Sequence, residues 1–249
     1  MIMDRQYHRW HSPNLGQDME LLVFGHAGQP YIVFPTSSGR FFDFENNGMV
    51  HAAERFLEEG KVRLYCADSI DPQSWDSREK GPVEKARRHN DYAQYIVQEV
   101  VPFIHRHSGS KERIMCTGVS MGASHAVLFF LKHPDVFKGT IALSGVYNFR
   151  FFLGNYQGNS PEVYYNSPLD FLPNLDDPAI LEQYRKSDII VCVGQGAWEE
   201  PMIADTLRLR DILQAKGVPC WVDLWGHDVN HDWPWWRKQF PYFLEKLYK

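Results

Sequence analysis

The chain has 249 residues, 44% of them hydrophobic. That is ample for a substantial core, and without repeats, low-complexity tracts or Gly/Ser linkers a single domain spanning 1–249 is expected. The formal charge of −5 and the pI near 6.1, with acidic and basic residues interspersed, leave no nucleic-acid footprint and no polybasic membrane patch.

The N-terminal stretch "MIMDRQYHRWHSPNLG" is polar where a signal peptide needs an apolar core. No apolar run approaches transmembrane length, "AVLFFL" being far too short. "QYHRWHS" can add an edge strand. "MELLVFGHAG" and "YIVFP" read as two strands around a glycine-containing turn, forming an antiparallel edge. "GMVHAAERFLEEG" reads as an amphipathic helix closed by Gly60, and "KVRLYCAD" as a strand. "HNDYAQYIVQEVVPFIHRH" is a long helix with a kink or break expected at Pro102. "RIMCTGVS" is a strand, "ASHAVLFFLKHP" a helix and "GTIALSG" a strand.

Residues 146–187, rich in aromatics, Asn and Pro, lose the pattern. They read as a cap-like insertion over the C-terminal edge of the sheet. "DIIVCVG" (strand), "MIADTLRLRDILQAKG" (helix), "CWVDLWG" (strand) and "WWRKQFPYFLEKLYK" (helix) complete the chain. Strands separated by helices of this length require crossover connections. The expected fold is therefore α/β, with a mostly parallel central sheet, helices on both faces and ligands bound at the C-terminal edge of the strands. Cys66, Cys116, Cys192 and Cys220 each fall in or at the start of a strand, with no C-x-x-C spacing. Buried free thiols and a cytoplasmic location are expected, rather than disulfides or a zinc site.

Gly118-Val119-Ser120-Met121-Gly122 lies where a strand turns into a helix. G-x-S-x-G carries meaning only in that context. There the serine sits on a sharp turn, its hydroxyl exposed at the sheet edge and the next N–H, that of Met121, aimed at a developing oxyanion. Ser120 is thus the candidate nucleophile. The alternative is a turn that needs glycine only for packing. An acid and then a histidine should follow, each after a later strand. "GHDVNHDWPWW" offers His227 and His231. His231, deeper in the loop and just before the last helix, is better placed to reach Ser120. The two histidines are four apart, a zinc-like spacing only on a helix, and this stretch reads as a loop. The acid should lie in "GQGAWEEPMIADT", where Glu199, Glu200 and Asp205 are available. One glutamate can face the histidine while its neighbour faces solvent. Asp228 and Asp232 read as local loop or cap residues.

With these residues in place, the chain resembles the esterase D-like group of α/β-hydrolases, relatives of feruloyl esterases, S-formylglutathione hydrolases and mycolyltransferases. The likeness rests on Gly118–Gly122 with its helix, on "IALSGVYN" and on "HDWPWW", and it covers almost the whole chain. It implies an α/β-hydrolase fold, a serine hydrolase acting on small-molecule carboxylic esters through an acyl-enzyme, and no metal or organic cofactor. By the same resemblance Ser120 and His231 become nucleophile and base, and spacing favours Glu200 as the acid, with Glu199 as the alternative. One departure stands out. Where the group usually has His-Gly or Asp-Gly, this chain reads "FPTSSGRFF", so the second oxyanion donor falls to Thr36 or Ser37; Pro35 has no N–H. Trp75, Tyr147, Arg40 and Trp233 are candidate substrate contacts. Acyl transfer at the same site, or a non-catalytic binding protein on the same fold, are the rival readings. Association into homo-oligomers is left open.

Overall fold

The computed structural model describes residues 4–154 and 156–249. Residues 1–3, part of the polar N-terminal stretch, and residue 155, within the 146–187 segment, lie outside the described residues.

Eight strands form one sheet: β1 (Arg5–Ser12), β2 (Gln17–Phe24), β3 (Gln29–Phe34), β4 (Val62–Ala67), β5 (Ile114–Val119), β6 (Phe137–Leu143), β7 (Asp188–Val193) and β8 (Trp221–Leu224). Their order is β1-β2-β4-β3-β5-β6-β7-β8. Pairing is antiparallel between β1 and β2 and between β2 and β4, and parallel everywhere else. This is the α/β-hydrolase fold. The antiparallel edge differs from the expected one. The hairpin joins β1 to β2 across a turn at Gly16, whereas β2 and β3, though adjacent in sequence, are separated by β4.

Central strands are buried on both faces, so they read as nearly continuous apolar runs; all six residues of β5 are buried. β1, at the edge, alternates exposed and half-buried residues. The two-residue period splits the core in two. Ile32 and Phe34 of β3 pack on one face with Tyr65, Cys116 and Phe129. Tyr31 and Val33 pack on the other with Leu64, Met115 and Phe240.

The long helix is α1 (Pro82–Tyr95) running through a wide π turn (Ile96–Val100) into α2 (Val101–Ser108). The π turn directly precedes Pro102, which has no N–H to give the ladder, so the chain widens instead of breaking. The segment expected as one helix from Gly48 to Gly60 is two short ones, Met49–Ala52 and Glu54–Glu58. At the joint the Ala53 N–H is shared between the carbonyls of Met49 and Val50. The apolar face survives this hitch, with Met49, Val50, Ala53, Phe56 and Leu57 all buried.

α3 (Met121–Lys132) follows β5 and is buried from Met121 to Leu131. The 146–187 segment is irregular because Pro161, Pro168 and Pro178 each start a short helix, the last being α4 (Pro178–Arg185). It is tied down by polar anchors. Asp205 accepts the N–H groups of Tyr147 and Asn148 at 2.8 Å each, and Arg150 pairs with Asp170 at 2.7 Å. α5 (Glu200–Ala215) and α6 (Trp233–Leu247) complete the fold. α6 buries Trp236, Phe240, Phe243 and Leu244, one face of a helix, in the second core cluster.

Candidate active site

β5 ends at Val119, and Ser120 takes the turn into α3 with φ 54°. Such a conformation is costly for a non-glycine residue. The flanking glycines explain how it is held. A Cβ on Gly118 would lie 2.4 Å from the Gly122 backbone, and one on Gly122 would lie 2.2 Å from the Phe34 carbonyl oxygen. Strand, helix and the end of β3 can approach this closely only without side chains at both positions. Met121 is the first residue of α3, so its N–H has no acceptor within the helix and projects beside Ser120.

His231 and Glu199 are brought to Ser120 by two loops that are laced together. The loop after β7 and the loop after β8 exchange backbone bonds: Gly196 N–H to Val229 O at 2.8 Å and His231 N–H to Ala197 O at 3.0 Å. The Asn230 side chain accepts the Ala197 N–H at 2.8 Å. His231 Nε2 lies 2.9 Å from Ser120 Oγ, and His231 Nδ1 lies 3.3 Å from Glu199 Oε2. A carboxylate that only accepts would take the bond from Nδ1–H and leave Nε2 to accept from the serine. Glu199 is fully buried, and its other oxygen accepts the Ser144 hydroxyl at 2.6 Å. The His231 and Trp236 rings meet edge to face, with centroids 4.9 Å apart at 88°.

Among the described residues, the non-glycine positions with positive φ are Ser38, Ser120, Ser144 and Trp198. All four border this site: Ser38 next to the cavity-lining Ser37, Ser120 itself, Ser144 on the glutamate and Trp198 immediately before it. Backbone strain gathered in one place marks where the fold is held against its local preference.

The family model described as "Putative esterase" matches residues 12–247. The chain belongs to this esterase family. It is a carboxylic ester hydrolase. Among solved structures it is similar to a ferulic acid esterase (16% identity, TM-score 0.74, covering 96% of this chain and 95% of that one). It is also similar to the S-formylglutathione hydrolase FrmB from Staphylococcus aureus (18%, TM-score 0.74, 99% of each chain). A third is Mycobacterium tuberculosis MPT51 (11%, TM-score 0.73, 97% of each chain). No curated protein sequence matches the chain.

In this esterase, Ser120 opens into a cavity of about 280 Å³. Met121 and Ser124 of α3 line it beside the serine, and Val146, Phe151, Phe152 and Met202 supply apolar walls; Ser37 and Asp76 form a polar rim. A second cavity of about 690 Å³ continues past Ser37 and Asp76 towards Arg78, Glu79 and Lys80. Among the described residues no three His, Cys, Asp or Glu side chains converge as a metal site requires, and no helix is long and apolar enough to cross a membrane.

Several expectations need correction. Glu200, favoured as the acid, is exposed at the start of α5, while Glu199 turns inward to the imidazole. The reason is the left-handed Trp198, φ 69°, which swings the chain so that Glu199 precedes the helix. Thr36 does not offer its N–H to the cavity. That group and the Thr36 hydroxyl both donate to Asp43 Oδ2, at 3.0 and 2.9 Å. Ser37 does reach the cavity, its hydroxyl donating to Asp76 at 2.5 Å. Trp75 is a core residue, packed on His89 and Phe149. Tyr147 is buried beneath the site. Arg40 is spent on a bidentate pair with Asp68 and a contact to Glu20. Trp233 packs on Trp236 and does not line the cavity.

His227 is exposed in the loop, apart from the Ser120–His231–Glu199 chain. Asp232 caps α6 by accepting the Trp233 N–H. Asp205 is raised from its ordinary value by burial, against the two backbone N–H groups it accepts. Sequence reasoning missed Val146, Phe152, Met202 and Asp76 on the cavity wall, and Ser144 beneath the glutamate. Of these, Ser144 and Val146 had a signal, as part of the "IALSGVYN" stretch.

Proposed function

We propose that this esterase works through a Ser120–His231–Glu199 triad and an acyl-enzyme. The observation that carries the reading is the continuous hydrogen-bonded chain from a strained, cavity-facing serine through one imidazole to a buried carboxylate. His231 Nε2 takes the Ser120 proton as Oγ attacks the ester carbonyl, and Glu199 stabilises the imidazolium. The Met121 N–H and the Ser37 N–H hold the oxyanion. His231 then gives its proton to the departing alcohol, and the same base activates water to release the acid. The chain acts as one catalytic domain over 1–249, with Phe151 and Phe152 reaching the site from the 146–187 segment. The substrate is a small-molecule ester. A cavity of about 280 Å³ lies at or below the small end of ligand pockets, about 300–1,000 Å³, and suits a short acyl group.

Rapid mixing with p-nitrophenyl acetate tests this. The expected result is a burst of about one p-nitrophenolate per protein, lost in Ser120→Ala, with dodecanoyl esters turned over far more slowly than acetyl or butyryl ones. A burst that survives in Ser120→Ala would refute the acyl-enzyme.

A further inference from the structure

The buried carboxylate has a second partner that the triad itself does not require. Ser144 follows β6, is fully buried and sits at φ 59°. Glycine holds that conformation without strain, and Gly145 is the next residue, yet the chain keeps a serine there. Its Oγ donates to Glu199 Oε1 at 2.6 Å and accepts from Trp236 Nε1 at 3.1 Å. An indole N–H can only donate, so the Ser144 proton has one way to point, towards the glutamate. Trp236 also packs its ring against that of His231, so one residue of α6 holds both the imidazole and the hydroxyl that faces its carboxylate.

We infer that Ser144 and Trp236 are positioning residues that fix the polarity of the catalytic hydrogen-bond chain. The indole donates to Ser144 and Ser144 donates to Glu199 Oε1. This leaves Oε2 as the acceptor for His231 Nδ1–H and so leaves Nε2 free to take the Ser120 proton. Without the Ser144 hydroxyl, Oε1 loses its donor in a site closed to water, and the carboxylate has no reason to keep Oε2 towards the imidazole. This rests on Glu199 being the triad acid. Neither residue lines the cavity beside Ser120. Acylation and deacylation use the same base, so both should slow together and KM should barely move.

The test is steady-state kinetics on p-nitrophenyl acetate with melting temperatures for each variant. Ser144→Gly removes the hydroxyl and relieves the strained φ; Ser144→Ala removes the hydroxyl and keeps the strain. Both should lower kcat by about ten- to a hundredfold, the effect of one charge-assisted hydrogen bond lost from a buried acceptor, with KM within about twofold. The glycine variant should melt no lower than wild type. Trp236→Phe keeps the ring against His231 but removes the donor, and should lower kcat by about five- to tenfold. Glu199→Gln is the control. If it is crippled while Ser144→Gly keeps kcat within about twofold, or if the Ser144 variants lose kcat only in step with melting temperature, the positioning role is wrong. If Glu199→Gln stays active, the triad reading fails and takes this inference with it.

Discussion

Glu199 and Glu200 are the same side chain one residue apart, and the backbone gives them opposite environments. Glu199 is fully buried against His231 and Ser144, whereas Glu200 is exposed on the first turn of α5. Replacing Glu199 by Gln leaves the shape but makes the group a donor as well as an acceptor, which favours the wrong imidazole tautomer. The turnover number of Glu199→Gln should fall by orders of magnitude, and that of Glu200→Gln should stay within a few-fold of wild type, in p-nitrophenyl acetate assays. The reverse ranking would move the acid back to Glu200. Ser120 and His231 were legible in the sequence because each sits in a pattern with a mechanical reason, a glycine-flanked elbow and a loop before the last helix. The choice between the two glutamates was not. It turns on a left-handed tryptophan at 198, a conformation that residue type does not announce. In the loop after β3, Ser37 reaches the cavity, but nothing in "PTSSG" betrays that Asp43, seven residues on from Thr36, captures the Thr36 N–H.

β5, its turn and α3 form the element on which everything else is aligned, and its tolerance is small. A Cβ at residue 122 would sit 2.2 Å from the Phe34 carbonyl oxygen and 2.8 Å from that of Pro35. Backbone atoms cannot swing aside as a side-chain end can. Gly122→Ala should therefore cost about 1–3 kcal/mol, lowering the melting temperature by about 2–12 °C for a chain of this size. It should also displace the 36–39 loop and reduce turnover. An unchanged melting temperature would mean that the helix and β3 can separate more readily than their packing implies. Most strands and helices were legible because their periods are strong. What was not legible is long-range. β4 separates β2 from β3, and the break at Ala53 is invisible in a sequence that keeps its apolar face. The 146–187 segment reads as irregular and is irregular, but which of its aromatics reach the cavity depends on anchors such as Asp205 and Asp170, which lie outside any local pattern.

Viewed whole, the molecule buries a histidine that has no room to become charged. His89 is held well below its ordinary value of 6.5, first by burial and then by His125 and Lys132 nearby; His8, His107 and His133 are lowered as well, again chiefly by burial. The unfolded chain takes up the His89 proton near pH 6.5 and the folded chain does not. The contribution of His89 to stability is thus intact above that pH and is lost as pH falls below it, by about 1.4 kcal/mol per pH unit, and the less buried histidines change stability in the same direction. Urea unfolding at pH 7.0 and 5.5 should show this loss, and His89→Phe should have a shallower dependence by about that slope. An equal dependence in both proteins would mean that His89 protonates in the fold. Activation of a single serine by one histidine and one glutamate is tested by treating the protein with a fluorophosphonate and measuring intact mass and the modified peptide. One adduct is expected, on Ser120, absent from Ser120→Ala, much slower to form in His231→Ala and Glu199→Gln, and unaffected by Glu200→Gln. An adduct on another residue, or labelling of wild-type speed in His231→Ala, would contradict it.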